Sequence, residues 1–369
     1  MNAPRVLVSS GELSGDQRLS ELLRALRTVV PALQAEGIGP TSDVSALVER
    51  GDVAMMGFDR LGQVALQLWR ARQALLHAAD TGTYTGAIVV DYSGFNIPLG
   101  RALRRRGLPV VYYVPPKLWA WGAWRVPKLK QAADVLVTTM PFEDAWFRER
   151  GFETIYAGHP AQDNFVHRPS REVARAELGL DPSARVLLLM PGSRQGEIDR
   201  HVPVLQRALR NPELARYVDC VLVPVAQAGF RDALRHALGD SVVPVHWAQV
   251  ATAREYCAAD FAWIASGTAN LEAAWCGLSA AVFYRTGALT YALGRRLVQV
   301  KCLSPVNLWH KQVIYPEYLQ QGMTEMALLH WLRDHDHAAV RAHLGQHFVP
   351  QAPIVPTLAQ KIQPWLKLQ

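Results

Sequence analysis

The chain is poor in cysteine and has no long apolar run. Its four cysteines, Cys220, Cys257, Cys276 and Cys302, are widely spaced and form no CxxC pair, which argues against a zinc site and against a disulfide framework. A reducing cytosol is the simple expectation. No apolar stretch reaches the ~18 residues of a spanning helix, and the start, MNAPRVLVSSGE, goes straight into an expected strand rather than a signal peptide. Acidic residues are outnumbered: 32 Asp and Glu against 39 Lys and Arg leave a formal net charge of +7 and a pI near 9.3. That balance points to an acidic partner, whether phosphate-bearing substrate, nucleic acid or anionic lipid, without choosing among them. Half of the 369 residues are hydrophobic. The length exceeds one ordinary α/β domain, so two domains of similar size, each with its own core, are expected.

Two loops in the second half look alike. Residues 186–190 (VLLLM) read as a strand apolar on both faces, as in a parallel sheet covered by helices, and Pro191-Gly192-Ser193-Arg194 ends it abruptly. Open parallel sheets bind ligands at the carboxyl edge, where Arg194 can grip a phosphate with both arms of its guanidinium. Residues 261–265 (FAWIA) form another such strand, followed by Ser266-Gly267-Thr268 and a helix starting near Asn270, which Ser266 or Thr268 can cap. A helix N-terminus suits a pyrophosphate, and Glu272, one turn in, can take the two hydroxyls of a ribose. Alone, SGT is an ordinary capped helix. Two such loops on one sheet edge make a nucleotide pocket.

The first half alternates in the same way. Strand 5–9 leads into residues 11–16 (GELSGD) and a helix with Leu19, Leu22, Leu23 and Leu26 on one face. Glu12 and Asp16 argue against a phosphate in that loop and suit sugar hydroxyls or a structural turn. Met55 and Met56 could line an acyl chain, but core filling is the commoner use. A helix is expected over 66–78. Strand 87–90 delivers Asp91 to its carboxyl end, where it is either a cap for a helix over 98–106 or a general base. Residues 115–125 (PPKLWAWGAWR) place Trp119, Trp121 and Trp124 beside lysines and arginines, an amphipathic face. From Arg101 to Lys130 there is no Asp or Glu. His159 closes the half, 161–170 reads as a linker, and 220–225, 242–245 and 282–284 read as later strands. His343 and His347 share a helix face at i, i+4, where a solvated face is commoner than a metal site and no third ligand is suggested.

These motifs occur in a telling order: GELSGD (11–16), MMGF (55–58), DYSGFN (91–96), WAW (119–121) with Arg125, PFE (141–143), GHP (158–160), PGSRQGEI (191–198) and SGTANLE (266–272). Over residues ~5 to ~320 the chain resembles the lipid-A-disaccharide synthase family of GT-B glycosyltransferases. The resemblance implies two doubly wound, Rossmann-like parallel-sheet domains facing a cleft: an acceptor domain over 1–164, with a C-terminal helix in 352–369 packed back on it, and a UDP-sugar domain over 165–351. It implies inverting transfer of a diacylated glucosamine from UDP to the 6-hydroxyl of a diacylated glucosamine 1-phosphate, with no metal or cofactor. By the same resemblance Asp91 is the general base and Arg194 a catalytic cation. Ser193, Arg194, Ser266, Gly267, Thr268, Glu272 and Asn307 hold the UDP-sugar, while Glu12, Ser14, Asp16, Trp121 and His159 lie on the acceptor side. Expected partners are the UDP-sugar, an acylated sugar phosphate and the anionic inner face of the cytoplasmic membrane; no nucleic acid is expected, and a homodimer is left open.

Three departures from the family pattern bear on the acceptor side: Leu13 in GELSGD, the altered segment before Arg125, and Ser304-Pro305-Val306-Asn307 where the family reads SLPN. A different UDP-sugar or lipid acceptor is the alternative they raise. A UDP-sugar 2-epimerase would share the nucleotide half but has no need of the Trp-rich basic loop. A nucleic-acid binder would use the charge, but the basic residues are not interleaved with a strand-borne aromatic platform.

Overall fold

The structure, a computed structural model, describes residues 3–11, 13–48, 61–225, 228–287, 291, 302–351 and 353–368. Glu12, Met55 and Met56 lie outside the described residues. The chain divides into two compact units, Met1–Pro160 with Pro353–Gln369, and Ala161–Ala352.

The first unit is built on seven parallel strands: β1 (Arg5–Ser10), β2 (Gln34–Ile38), β3 (Ser45–Ala46), β4 (Gly86–Val90), β5 (Val110–Tyr113), β6 (Val135–Thr138) and β7 (Thr154–Tyr156). Their order is β3-β2-β1-β4-β5-β6-β7. Side chains alternate between two buried layers, as the pleat requires. Val6, Val8, Ile88, Val90, Val111 and Val137 face the helix Leu13–Val29 and the C-terminal helix Ile354–Ile362. Leu7, Ala87, Val89, Val110, Tyr112 and Leu136 face the other layer, with Leu75 of the helix Leu61–Thr81, Leu99 and Phe147. Burial on both faces explains why β4 (GAIVV) and β5 (VVYY) carry no charged residue. The GHP glycine is fixed by this packing. Gly158 has φ 113°, and a Cβ there would stand 2.6 Å from Ile354 Cδ1.

The second unit carries β8 (Val186–Met190), β9 (Cys220–Pro224), β10 (Val245–Ala248), β11 (Phe261–Ala265), β12 (Ser279–Tyr284) and β13 (Glu317–Leu319), ordered β10-β9-β8-β11-β12-β13 and parallel throughout. Each sheet therefore reverses its winding beside its first strand, between β1 and β4 in one unit and between β8 and β11 in the other. Those are the two topological switch points, where open α/β sheets bind ligands. Strand β10 starts three residues later than the expected 242–245. Val242 is exposed, Pro244 has no N–H to give, and pairing begins where Val245 lies beside Val221.

Candidate functional site

At the switch point of the second unit, β8 ends and Pro191-Gly192-Ser193-Arg194 turns into the helix Gln195–Arg210. Gly192 has φ 129°, and a Cβ there would meet Glu197 Cβ and Oε2 at 2.9 Å, so the turn requires glycine. Glu197 reaches back over the helix start: its Oε2 accepts from the Ser193 N–H at 3.1 Å and its Oε1 from Arg194 Nη1 at 3.2 Å. The Arg194 side chain is 79% exposed and Glu197's only 12%. An exposed pair of this kind is worth ~0.2–1 kcal/mol, so Arg194 is aimed by Glu197 but easily drawn to a phosphate. Beneath the turn, buried His201 joins two strand ends. The Arg285 N–H donates to its Nε2 at 2.9 Å, which leaves the proton on Nδ1 to donate to Pro191 O at 2.6 Å. Burial pushes this imidazole below its ordinary pKa, keeping the neutral tautomer that both contacts need.

Beside this turn, β11 ends at Ser266-Gly267-Thr268. These residues, with Pro191–Arg194, Glu197, Pro224, Phe230 and Ala251, enclose a cavity of about 360 Å³. A Cβ on Gly267 would meet nothing within 4 Å, so this backbone is open to a ligand. The expected capping does not occur. Thr268 precedes the helix Ala269–Trp275 but already has helical angles, φ −59° and ψ −31°, and its side chain makes no cap; capping needs an extended residue. Ser266 Oγ instead donates to Leu303 O at 3.2 Å. The first N–H groups of that helix are thus left without a side-chain cap of its own.

Two expected donor contacts are used elsewhere in the fold. Glu272 is mostly buried and accepts from Tyr256 Oη at 2.6 Å, and burial pushes its carboxyl up; it is not a wall of the cavity. Asn307 is 1% exposed and saturated. Its Nδ2 donates to Tyr315 O and Glu317 Oε1, and its Oδ1 accepts from the N–H groups of Ile314 and Tyr315. No donor or acceptor capacity remains for a nucleotide. Asn307 fastens the segment behind Ser304.

At the switch point of the first unit stands Asp91, just past β4. Asp91 (φ 50°) and Tyr92 (φ 38°) are consecutive left-handed residues, and Val114, just past neighbouring β5, has φ 57°. Such conformations cost of order 1–3 kcal/mol each and cluster at functional sites. The helix starts at Ser93, five residues before the expected 98, with Pro98 inside it and Tyr92 at the N-cap position. Asp91 is therefore not the cap. Its backbone is held twice, its carbonyl accepting from Tyr112 Oη at 2.7 Å and from Asn96 Nδ2 at 3.1 Å. Asn96, fully buried, also donates to Val90 O and accepts from Ser9 Oγ at 2.7 Å. Among the described residues the Asp91 carboxylate itself takes no hydrogen bond. Nearby in the fold, buried Asp16 accepts from Ser10 Oγ. Ser14 lies in the first helix, its side chain outside the described residues.

The tryptophan loop divides. Trp119 turns inward, donating to Glu143 Oε1 at 2.9 Å and meeting Phe142 edge-on at 4.8 Å. Glu143, buried and pushed up by that burial, also accepts from Thr139, which accounts for the PFE motif. Trp121 and Trp124 turn outward, 47% and 67% exposed. Arg125 donates to Ser93 Oγ at 3.1 Å, tying the loop to the start of the Asp91 helix. The basic stretch is only partly available: Arg104 pairs with Asp134 and Arg106 with Asp80, leaving Lys117 and Lys128 exposed by the tryptophans. His159 is buried, and burial first, then Arg18 and Lys117, lower its pKa to about 3. His343 and His347 stack at 4.3 Å, and His310, at the end of the helix Pro305–His310, meets them at 5.4 and 5.3 Å; His347 is exposed and His343 partly so, in keeping with the solvated face expected. Among the described residues no group of three is arranged to hold a metal.

Two residues that hold these sites, Glu197 and Asn96, sit inside motifs visible in the sequence, but nothing local marks their partners. His201 had no sequence signal.

Solved structures share this architecture. MurG of Acinetobacter baumannii superposes with a TM-score of 0.59 at 13% identity, over 98% of this chain and 99% of that one. The Staphylococcus aureus MnaA–UDP co-structure gives 0.63 at 12%, over 99% and 98%. The protein has the GT-B fold. The family model for lipid-A-disaccharide synthetase matches residues 6–343, and the lipid-A-disaccharide synthase of Myxococcus xanthus (strain DK1622) is 34% identical over 328 residues, 88% of this chain and 85% of that protein. The chain belongs to the lipid-A-disaccharide synthetase family, and it is a glycosyltransferase enzyme.

Proposed function

We propose that the protein joins two acylated glucosamines into lipid A disaccharide, moving 2,3-diacylglucosamine from UDP to the 6-hydroxyl of 2,3-diacylglucosamine 1-phosphate with inversion. The observation that carries this reading is the cavity at the second switch point, whose open Gly267 backbone and exposed Arg194 suit a pyrophosphate, in a chain of this family. Each unit supplies one half of the chemistry. Asp91 takes the proton of the acceptor hydroxyl, whose oxygen attacks the anomeric carbon; Arg194, Ser193 and the turn 266–268 receive the charge of the departing UDP. A carboxylate that takes no hydrogen bond among the described residues is suited to accepting that proton. On the acceptor side we place Glu12, Ser14, Asp16 and Trp121. His159 serves as a neutral wall, since its low pKa removes it as a cation.

Acylated substrates reside at a membrane surface, and no helix among the described residues is long and apolar enough to cross one. Docking through Trp121 and Trp124, with Lys117 and Lys128 toward anionic headgroups, fits their exposure. The test of the reaction is incubation with UDP-diacylglucosamine and the lipid acceptor, with mass and anomeric configuration of the product read out. Disaccharide plus UDP supports the proposal. Conversion of the sugar without acceptor would mark an epimerase instead.

A further inference from the structure

Cys257 and Cys276 are nineteen positions apart and share no motif, yet the fold brings them together. Cys257 lies in the helix Ala253–Ala258, and Cys276 follows the last residue of the helix Ala269–Trp275. The two helices run side by side, joined by Tyr256 Oη to Glu272. Both cysteines are partly exposed and line a cavity of about 270 Å³ with Arg168, Arg171 and Arg341. Arg171 and Arg341 are occupied by Asp260, whereas Arg168 makes no hydrogen bond among the described residues and acts on both sulfurs by its charge. The Cys276 S–H donates to Ala253 O at 3.9 Å, one turn before Cys257 in the neighbouring helix, which sets the two thiols beside each other. The neighbouring Cys276 thiol, with Arg168, holds Cys257 below the usual thiol range, while the neighbouring Cys257 sulfur and burial push Cys276 up. One sulfur is thus set up as the nucleophile and the other as its proton-bearing neighbour, in an electropositive, open microenvironment.

The other ends of these helices matter. Ala251 precedes the first, and Ser266, Gly267 and Thr268 precede the second; all four are walls of the 360 Å³ cavity. We propose that Cys257 and Cys276 are a peroxide-oxidisable dithiol, and that its closure to a disulfide draws the two helices together and lowers the affinity of the cavity at their far ends. The second half of this statement rests on that cavity being the UDP site. In the first step the Cys257 thiolate attacks one oxygen of a hydroperoxide; the O–O bond breaks, and hydroxide leaves and is protonated to water. In the second, the Cys276 sulfur attacks the Cys257 sulfenic acid, giving up its proton as the hydroxyl departs, so that a second water leaves. Two thiols lose two electrons and two protons, and one hydrogen peroxide is reduced to two waters. A disulfide holds its two Cα atoms at a restricted separation, and this restraint acts on the helix ends that carry the sulfurs.

The experiment is titration of the full-length protein with hydrogen peroxide, alkylation of remaining thiols and peptide mass mapping, with UDP affinity measured before and after. The wild type should yield one cross-linked peptide pair joining Cys257 to Cys276, lighter by about 2 Da than its reduced parts, and dithiothreitol should restore both thiols. Cys276→Ser should stop at a dimedone-reactive sulfenic acid on Cys257, about 16 Da heavier. Cys257→Ser should leave Cys276 reduced. Oxidised wild type should bind UDP about threefold or more weakly, reversed by dithiothreitol and absent in Cys276→Ser. Full alkylation of both cysteines after peroxide, or a cross-link to Cys220 or Cys302, would overturn the dithiol. A 257–276 disulfide with unchanged UDP affinity would overturn the coupling. A reduced protein that binds no UDP would count against the donor cavity alone, because the mapping does not depend on it.

Discussion

Replacing Asn96 with alanine should release the strained turn that presents Asp91. The Asn96 amide supplies Val90 O and Asp91 O with donors at 3.0 and 3.1 Å and gives Ser9 Oγ an acceptor at 2.7 Å, all in a side chain that is 0% exposed. Tyr112 still satisfies Asp91 O, which leaves the Val90 contact and the Ser9 hydroxyl as the groups most affected. At about 1–3 kcal/mol for each buried group left unpaired, the loss in stability is about 2–6 kcal/mol. Asp91 and Tyr92, each in a left-handed conformation worth ~1–3 kcal/mol of strain, would then relax, and the carboxylate would turn from its position. Urea denaturation gives the stability change, and steady-state kinetics with UDP calorimetry gives the functional one. Turnover should fall at least tenfold while UDP affinity, which belongs to the other unit, stays within a factor of two. A variant that keeps both its stability and its turnover would refute the assignment of Asn96 as the residue that positions Asp91.

Further outcomes follow from the other contacts. Arg194→Ala should weaken UDP binding by about 1–3 kcal/mol in calorimetry, the worth of a hydrogen bond to a charged partner; unchanged affinity would move the nucleotide elsewhere. His159 is neutral when folded down to about pH 3 but protonates below 6.5 when unfolded. Its contribution to stability is therefore lost as pH falls through that window, by up to about 1.4 kcal/mol per pH unit. His159→Gln should flatten the stability profile between pH 6 and 4 in urea titrations, and an unchanged slope would contradict the buried neutral ring. Sedimentation with vesicles should show binding that needs anionic lipid and falls with salt, and Trp121→Ala with Trp124→Ala should abolish most of it; equal binding by wild type and double variant would rule out this face.

The doubly wound sheets were legible because strands such as β4 and β8 are buried on both faces and so appear as short apolar runs ended by Asp91 and Pro191. Their edges were less so. Strand β10 is only half-buried along its length, so its register depends on pairing with Val221 rather than on its own pattern. The helix after β4 was misplaced because proline usually opens helices, whereas here two left-handed residues turn the chain before Ser93. Around the cavity, Arg194 stood out by type and position, but Glu197 as its holder depends on a glycine turn that only the backbone reveals. Asn307 carried a family pattern, and the fold spends its amide on Ile314, Tyr315 and Glu317. The Cys257–Cys276 pair is invisible to spacing rules because it is made by two helices packing, not by one turn.

The central claim is that Asp91 removes the acceptor proton while the nucleotide is held in the second unit. The most direct measurement is the turnover of Asp91→Asn on UDP-diacylglucosamine and the lipid acceptor, beside its calorimetric affinity for UDP. The account predicts a fall in turnover of ~10²–10⁴, the usual worth of a general base, with UDP affinity nearly unchanged. Turnover above about a tenth of wild type would contradict it and remove Asp91 as the base.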